Sequence, residues 1–585
     1  MDKYIKYLII TLSIGIIISI GTYAYWTYES TNKKNIIVKT SKNLAEYIVY
    51  NEGESRFVGS LKPSESYYDG LHMTVSMHKT IDIDLYVTFY MDVVTISNDI
   101  SNTNAVKWAI TIGNYNNKDA QIIGTGDFRS KSANDTIELV SDVPVNNVDT
   151  KYTIWVWIDK SVSGATNLSG SSSDMKVWPM VNQDANLPAK PELDDEMIPV
   201  VFDINSGNTL IKTINKNDAN WYCYSKRKWA NAILVTNSSK SKYLNTSGVT
   251  VSESDILGYF VWIPRYKYKV WTTTMGSAGN EQSIDIVFES NDVPKSIGTT
   301  IDSYRTHPAF TFGDTELNGI WIGKFETTGN ATSPKIIPNV TSLVNQNVAS
   351  EYETAKKFMT YSSTSKIDSY ITRNSEWGAV AYLSHSKYGI NEEIYLNNSS
   401  GIYTGRSGGA VAGDVITLAS QFPGESTSTE RYNNFGYYTW DGKVISLSGT
   451  IGNYADSKSL GTKASTTGNM YGVYDMVGGA NEHVMGNYNA VIGNSGFSAM
   501  PDSKYYDKYT VSTMSSCTIE ICGGHALFET NRWYKDYPGF VTSNYAWFAR
   551  GRHYTNDTGG GIFYSAGFDG SANSTRTFRT SLIVK

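Results

Sequence analysis

The stretch YGVYDMVGGANEHV, residues 471–484, places one acidic residue on each side of a glycine-rich turn. Gly478 and Gly479 allow a tight turn between Asp475 and Glu482, because glycine adopts backbone conformations that other residues avoid. Such a turn can aim both carboxylates and the carbonyls between them at one point, and calcium prefers hard oxygen donors of this kind. A structural role fits equally well, with Asp475 capping the turn and Glu482 making a local hydrogen bond.

Six further stretches accompany this turn in a fixed order. Apolar and aromatic composition predicts strands at 260–265 and 319–326, and helical spacing of apolar residues predicts helices at 349–361 and 374–383, the second opening with Asn374 as a capping residue. WFARG at 547–551 and a closing strand, TFR at 577–579, complete the series.

In this order the stretches resemble the formylglycine-generating enzymes, or sulfatase-modifying factors, over residues 260–585. VWIPRY at 261–266, WGAVAYLSHSKYG at 377–389 and NEHVMG at 481–486 resemble most closely the prophage-associated and bacterial surface members of that family. The resemblance implies an α+β domain with a variant of the C-type lectin fold. It also implies calcium bound at Asp475, Gly478, Ala480 and Glu482, although Asn481 and His483 replace aromatic residues of the family.

The chemistry of those enzymes depends on a pair of active-site cysteines that this chain lacks. The matching segment, 552–558, reads RHYTNDT, and no cysteine follows Cys522. A soft metal such as copper needs soft thiolate ligands, so we predict that the protein does not catalyse this reaction. Cys517 and Cys522 are candidates for a local disulfide, with a redox or metal site that includes His525 as the alternative.

The C-terminal segment has the composition of a recognition surface. Tyrosine gives broad contact at modest entropic cost, and short polar side chains give adaptable hydrogen bonds. Some diversified relatives, altered by retroelements, carry their variable ligand surface here, and the resemblance implies the same role; an ordinary glycine-rich loop is the alternative. The predicted ligand-binding residues are Arg552, His553, Tyr554, Asn556, Asp557, Tyr564, Phe568, Asp569, Asn573 and Arg576.

The N-terminus carries an uncharged apolar stretch from Tyr7 to Trp26, preceded by Lys3 and Lys6. Its length suits a helix that spans a bilayer, and the lysines favour a cytoplasmic N-terminus. The small residues Thr22 and Ala24 also suit a signal-peptidase site. We therefore predict that residues 1–34 are a membrane anchor or a cleaved signal, and that the rest of the chain lies outside the cell.

The remaining chain divides at a polar, proline-containing linker, 182–196. Before it, 35–181 contains stretches rich in β-branched and aromatic residues, such as 85–94 and 152–159, and predicts an all-β sandwich that resembles camelysin-like exported proteins. After it, 197–585 is predicted to be the lectin-like domain. The net charge is -6 and no basic stripe is present, which makes nucleic acid a poor candidate partner.

These features predict a bacterial surface protein for ligand binding or adhesion. The expected partners are an extracellular protein or glycan, and the membrane through the N-terminal helix. One alternative is an enzyme, either a cysteine-independent relative of the formylglycine family or a hydrolase that uses carboxylates such as Glu376 and Glu529. The other is a subunit of a surface fibre.

Overall fold

A computed structural model describes the chain from residue 48 to residue 585, and the chain divides into two compact units, residues 1–187 and 188–585. Short segments within that span are not described, namely 53–55, 61–62, 81–84, 163–167, 169–171, 183–187, 206–207, 219, 413–414, 418–428, 432–436, 446–456 and 555–558.

The first unit consists of two sheets. The strands are β1 Ile48–Glu52, β2 Arg56–Ser60, β3 Pro63–Ser64, β4 Leu71–Lys79, β5 Tyr86–Ile96, β6 Val106–Ile112, β7 Gln121–Asp127, β8 Thr136–Pro144, β9 Thr150–Asp159 and β10 Ser172–Asn182. One sheet has the strand order β1-β4-β9-β6-β7, with β3 added beside β9, and the other has the order β2-β10-β5-β8. A short helix, α1 (Asn98–Ser101), follows β5.

Alternation along the strands gives this unit its core. Successive side chains of a strand point to opposite faces, so Met73, Val75 and Met77 of β4 lie on one face and are buried. They belong to one hydrophobic cluster with residues of both sheets, including Phe89 of β5 and Ile154 of β9.

The second unit contains most of the strands. In chain order they are β11 Ile198–Asn205, β12 Asn208–Thr213, β13 Asn231–Val235, β14 Ile256–Pro264, β15 Tyr266–Lys269, β16 Ile286–Phe288, β17 Tyr304–Thr306, β18 Thr311–Phe312, β19 Thr315–Glu316, β20 Gly319–Gly323, β21 Thr328–Asn330, β22 Ser333–Lys335, β23 Ile367–Ile371, β24 Arg406–Ser407, β25 Val415–Thr417, β26 Thr429–Arg431, β27 Tyr437–Thr439, β28 Val444–Ile445, β29 Asn481–Tyr488, β30 Asp507–Tyr509, β31 Trp547–Arg550, β32 Ser565–Phe568, β33 Arg576–Phe578 and β34 Thr580–Val584.

A seven-stranded antiparallel sheet forms the centre of the second unit. Its order is β12-β11-β13-β14-β20-β34-β23, so the last strand of the chain lies between β20 and β23. Trp262 and Trp321 face each other across β14 and β20, with ring centres 5.2 Å apart. A second sheet has the order β30-β29-β31-β32, and β33 also pairs with β29.

The helices of this unit are short. They are α2 Lys240–Tyr243, α3 Val348–Ala355, α4 Asn374–Ser384, α5 Ser457–Thr462 and α6 Ile519–Cys522. A 3₁₀ turn, Lys356–Tyr361, directly follows α3. Every residue of α4 is buried, which places it inside the unit rather than on its surface.

The prediction of an α+β, C-type-lectin-like domain is wrong. The described residues form mainly strands, and the longest helix among them, α4, has 11 residues. Two of the predicted helices exist, but the chain between the predicted motifs contributes many short strands instead of a helical layer. The fold is therefore a β-rich one in which helices play a minor part.

The predicted N-terminal membrane or signal helix, within 1–34, lies outside the described residues. Among the residues that the structure does describe, we find no helix that is both long and apolar enough to cross a membrane. The second half of the predicted linker packs onto the second unit, because the indole nitrogens of Trp262 and Trp321 donate to the carbonyls of Ala189 and Glu192 at 3.0 and 2.6 Å.

Candidate ligand-binding site

The Asp475–Glu482 turn is fixed by backbone hydrogen bonds. The amide of Gly478 donates to Gly551 at 3.0 Å, and the amide of Gly479 donates to Asn397 at 2.8 Å. Gly478 has φ 79°, and an added Cβ would lie 2.3 Å from the carbonyl oxygen of Asn397. Only glycine fits this position, because its left-handed backbone meets a neighbouring chain at close range.

Three buried carboxylates meet at this turn. Asp475 accepts hydrogen bonds from the Asn397 side chain at 2.9 Å and from the Gly405 amide at 2.8 Å. Glu482 accepts from both Nε and Nη2 of Arg579, with the Nε contact at 2.9 Å. Glu326, which the sequence did not single out, accepts from the Ala480 amide at 2.9 Å.

Burial controls the electrostatics of this group. Desolvation raises the pKa of Asp475, Glu482 and Glu326, and the positive charge of Arg579 opposes this rise at Asp475 and Glu482. Arg579 is itself fully buried and also donates to the carbonyls of Gly323 and Tyr474, each at 2.8 Å. The guanidinium therefore supplies the positive charge that the carboxylates need.

The contacts at the predicted calcium site are hydrogen bonds within the protein. Both oxygens of Glu482 accept from the Arg579 guanidinium, and both oxygens of Asp475 accept from nitrogen donors, so calcium binding at this turn stays a prediction. In the described part of the chain, no three or more His, Cys, Asp or Glu side chains are arranged so that they could hold one metal ion. Gly478 and Ala480 belong to the hydrogen-bonded turn itself.

Two arginines of the predicted recognition segment stack on aromatic rings. The guanidinium carbon of Arg576 lies 3.5 Å from the ring centre of Phe568, and that of Arg552 lies 5.5 Å from the ring centre of Tyr564. Tyr537, which the sequence did not single out, packs on Tyr564 at 6.1 Å between ring centres and is 55% exposed. We call Tyr537, Arg552, Tyr564, Phe568 and Arg576 the C-terminal patch.

Asp569 and Asn573 shape the loop that carries Arg576. Asp569 accepts from the Ser571 amide at 3.0 Å and from Asn494 at 2.8 Å, and these contacts hold its pKa at about 2 despite partial burial. Asn573 accepts from the Thr575 amide at 2.8 Å. Both side chains therefore act within the fold, as turn-forming residues do.

The other predicted contact residues lie in the loop between β31 and β32. His553 and Tyr554 are partly exposed, with ring centres 5.8 Å apart, and the Tyr554 amide donates to Gly479 at 3.1 Å. This hydrogen bond connects the loop to the acidic turn. Asn556 and Asp557 lie outside the described residues.

Cys517 and Cys522 form a disulfide that closes the short α6 segment, with 5.8 Å between their Cα atoms. His525, the third member of the alternative metal site, makes a hydrogen bond with the Tyr509 hydroxyl through Nδ1. The histidine is thus engaged on that nitrogen by a side chain of the neighbouring sheet.

Beneath the C-terminal patch lies a buried acid–histidine pair that sequence reasoning missed. Glu351 of α3 and His483 of β29 are both fully buried, with Oε2 and Nδ1 2.8 Å apart. His483 was noticeable in the sequence because it replaces an aromatic residue. Glu351 gave no signal beyond its place on a predicted helix.

No protein family and no curated protein matches the chain. Among solved structures, an arabinose-bound α-L-arabinofuranosidase aligns at 10% identity over 25% of each chain, with a TM-score of 0.12. The receptor-binding domain of a botulinum neurotoxin of mosaic serotype C/D aligns at 8% identity over 50% of this chain and 88% of its own, also with a TM-score of 0.12.

At this level of similarity neither structure bears on fold or function. The chain spans a quarter of the length of the first of them. The resemblance to formylglycine-generating enzymes stays a prediction from sequence motifs.

Proposed function

We propose that this protein binds a ligand outside the cell through the C-terminal patch. The observation that carries the proposal is the pairing of Arg552 with Tyr564 and of Arg576 with Phe568, beside the exposed ring of Tyr537. Tyrosine and arginine are the residue types that contribute most binding energy at protein surfaces. Stacking also orders both arginines before a ligand arrives, which lowers the entropic cost of binding.

Two further features support recognition over catalysis. The patch lies on β32, on β33 and in the loops beside them, and rigid strands hold contact residues more accurately than loops do. Its charged groups are arginines, and the nearby acid Asp569 already accepts hydrogen bonds from Asn494 and from the Ser571 amide.

The rest of the chain is proposed to bring this surface to its ligand. Residues 1–34 would export or anchor the protein, and the first unit would serve as a spacer. The expected ligand is an extracellular protein or a glycan, in agreement with the mixed polar and aromatic character of the patch.

The full chain tests the proposal on an array of immobilised glycans and extracellular proteins. Arg552→Ala and Phe568→Ala should each weaken the strongest interaction at least about tenfold, because each substitution removes one stacked pair. Arg129→Ala, an exposed arginine of the first unit, is the matched control and should leave binding unchanged. Binding that is equal in all variants, or no binding to any array member, would refute the proposal.

A further inference from the structure

The two stacked pairs of the C-terminal patch lie along one strand. Tyr564 directly precedes β32, and Phe568 is the last residue of that strand. The guanidinium of Arg552 lies over the first ring and that of Arg576 over the second. Four residues of extended chain span roughly 13 Å. A ligand that contacts both arginines is therefore a chain rather than a single small molecule.

Arg576 keeps its hydrogen-bonding capacity for a ligand. Its side chain is partly exposed and makes no hydrogen bond or ion pair with another described residue. The charges of Asp569 and Glu351 act on it from a longer distance, and both acids are hydrogen-bonded to other groups. A guanidinium is a planar fork of N–H donors, which fits the oxygens of a carboxylate or a similar oxyanion through two parallel hydrogen bonds.

The local charge of the patch is opposite to that of the whole chain. The chain has a net charge of -6, whereas the charged members of the patch are two arginines. Lys535, two residues before Tyr537, is exposed, and Asp536 between them is buried. A positive surface on an acidic protein favours a negatively charged ligand, because opposite charges steer the ligand to that surface.

The strand edge beside the patch is closed to an extended peptide. β32 is the edge strand of its sheet, but the Gly539 amide donates to the Ser565 carbonyl at 2.8 Å, and the Ser565 amide donates to the Tyr537 carbonyl at 3.0 Å. A carbon atom added at Gly567 would lie 2.7 Å from the carbonyl oxygen of Phe540. A peptide that adds a strand to a sheet needs an open edge, so recognition here depends on side chains.

We infer that the C-terminal patch binds an acidic polysaccharide, with Arg552 and Arg576 contacting carboxylate or sulfate groups on separate sugars of the chain. This inference rests on the proposed ligand-binding function and assigns its ligand class. Tyr537, which is 55% exposed beside Tyr564, adds an apolar surface. The face of an aromatic ring carries partial negative charge, which attracts the C–H groups of a sugar ring.

Two acidic polymers and their neutral counterparts test the ligand class with the full chain. Polygalacturonate is compared with its carboxyl-reduced form, and dextran sulfate with dextran, each immobilised on a biosensor. We expect at least one acidic polymer to bind at least about tenfold more tightly than its neutral counterpart, which lacks the oxyanion. Raising the NaCl concentration from about 50 to about 500 mM should weaken this binding, because salt screens exposed charges.

Matched variants connect the binding to the patch. Arg576→Met removes the guanidinium at similar side-chain length and should weaken binding to the acidic polymer at least about tenfold. Arg552→Met gives a second test if Arg576→Met unfolds, and thermal melting checks each variant. Arg129→Met is the control, because Arg129 is an exposed arginine of the first unit and should leave binding unchanged.

The outcomes separate the two proposals. Binding to an acidic polymer that falls in a folded patch variant, and not in Arg129→Met, supports the inference. Equal binding to acidic and neutral polymers, or acidic binding that neither patch variant alters, overturns it. If the ligands found are only proteins or neutral glycans, the ligand class is wrong and the proposed function stands. Binding to none of the polymers and to no member of the array overturns both.

Discussion

Arg579 is the residue on which the acidic turn depends most. It is fully buried and makes two hydrogen bonds to Glu482, besides those to two backbone carbonyls. The sequence singled out Asp475 and Glu482 as a pair. It could not show that a side chain almost a hundred positions later would occupy the place expected for a cation.

Replacing Arg579 by methionine should destabilise the protein by about 3–5 kcal/mol, because it leaves buried carboxylates without their positive partner. Urea unfolding of the wild type and the variant measures the difference. Arg129→Met is the matched control, since the Arg129 side chain is exposed. An Arg579→Met variant as stable as this control would contradict the assigned role.

Asp536 gives the fold a pH dependence. Burial raises its pKa from 3.8 to about 7, although Arg550 and Arg552 oppose the rise and the Phe563 amide donates to it at 2.9 Å. Because the folded-state pKa is the higher one, the stabilising contribution is fully present below pH 3.8 and is lost as the pH rises to about 7.

The substitution Asp536→Asn should remove this loss of stability with rising pH. Relative to the wild type, the variant should gain stability between acid and neutral pH, up to on the order of 4 kcal/mol for a shift of three pKa units. Denaturant unfolding at a series of pH values measures the gain. If the difference between the two proteins does not change with pH, Asp536 is not the group responsible.

At the scale of elements, strands were easier to predict than helices. The predicted stretch 85–94 overlaps the strand Tyr86–Ile96, and 152–159 lies within Thr150–Asp159, because β-branched and aromatic side chains favour a pleated, partly buried surface. The helix predicted at 374–383 matches Asn374–Ser384. The one predicted at 349–361 is α-helical only over Val348–Ala355 and then tightens into a 3₁₀ turn.

Long-range pairing explains what sequence could not show. The last strand of the chain, Thr580–Val584, pairs with Gly319–Gly323 and with Ile367–Ile371, both more than two hundred positions earlier. Nothing in local composition identifies such partners. The Glu351–His483 pair was missed for the same reason, because its two members lie on elements that are distant in the chain.

The α6 segment should depend on its disulfide. Closing so short a loop restricts the unfolded chain and should stabilise the protein by about 2 kcal/mol. The double variant Cys517→Ala, Cys522→Ala should melt at a lower temperature than the oxidised wild type, and mass spectrometry should find the wild type two hydrogens lighter than its reduced form. Equal melting of the variant and the wild type would contradict this contribution.

For the whole molecule, the apolar stretch Tyr7–Trp26 predicts a location outside the cell. We expect the full chain to be exported, and a chain without residues 1–34 to stay in the cytoplasm, because an uncharged apolar stretch of this length can engage a bilayer. Protease added to intact cells should digest the first and spare the second. Digestion of neither chain would contradict an extracytoplasmic location.

Ligand recognition by the C-terminal patch is the central claim, and hydrogen–deuterium exchange of the full chain tests it most directly. Exchange is compared with and without the strongest array ligand. Protection should appear in residues 537–576, and the strands of the first unit should exchange as before. Protection confined to the first unit would contradict the claim.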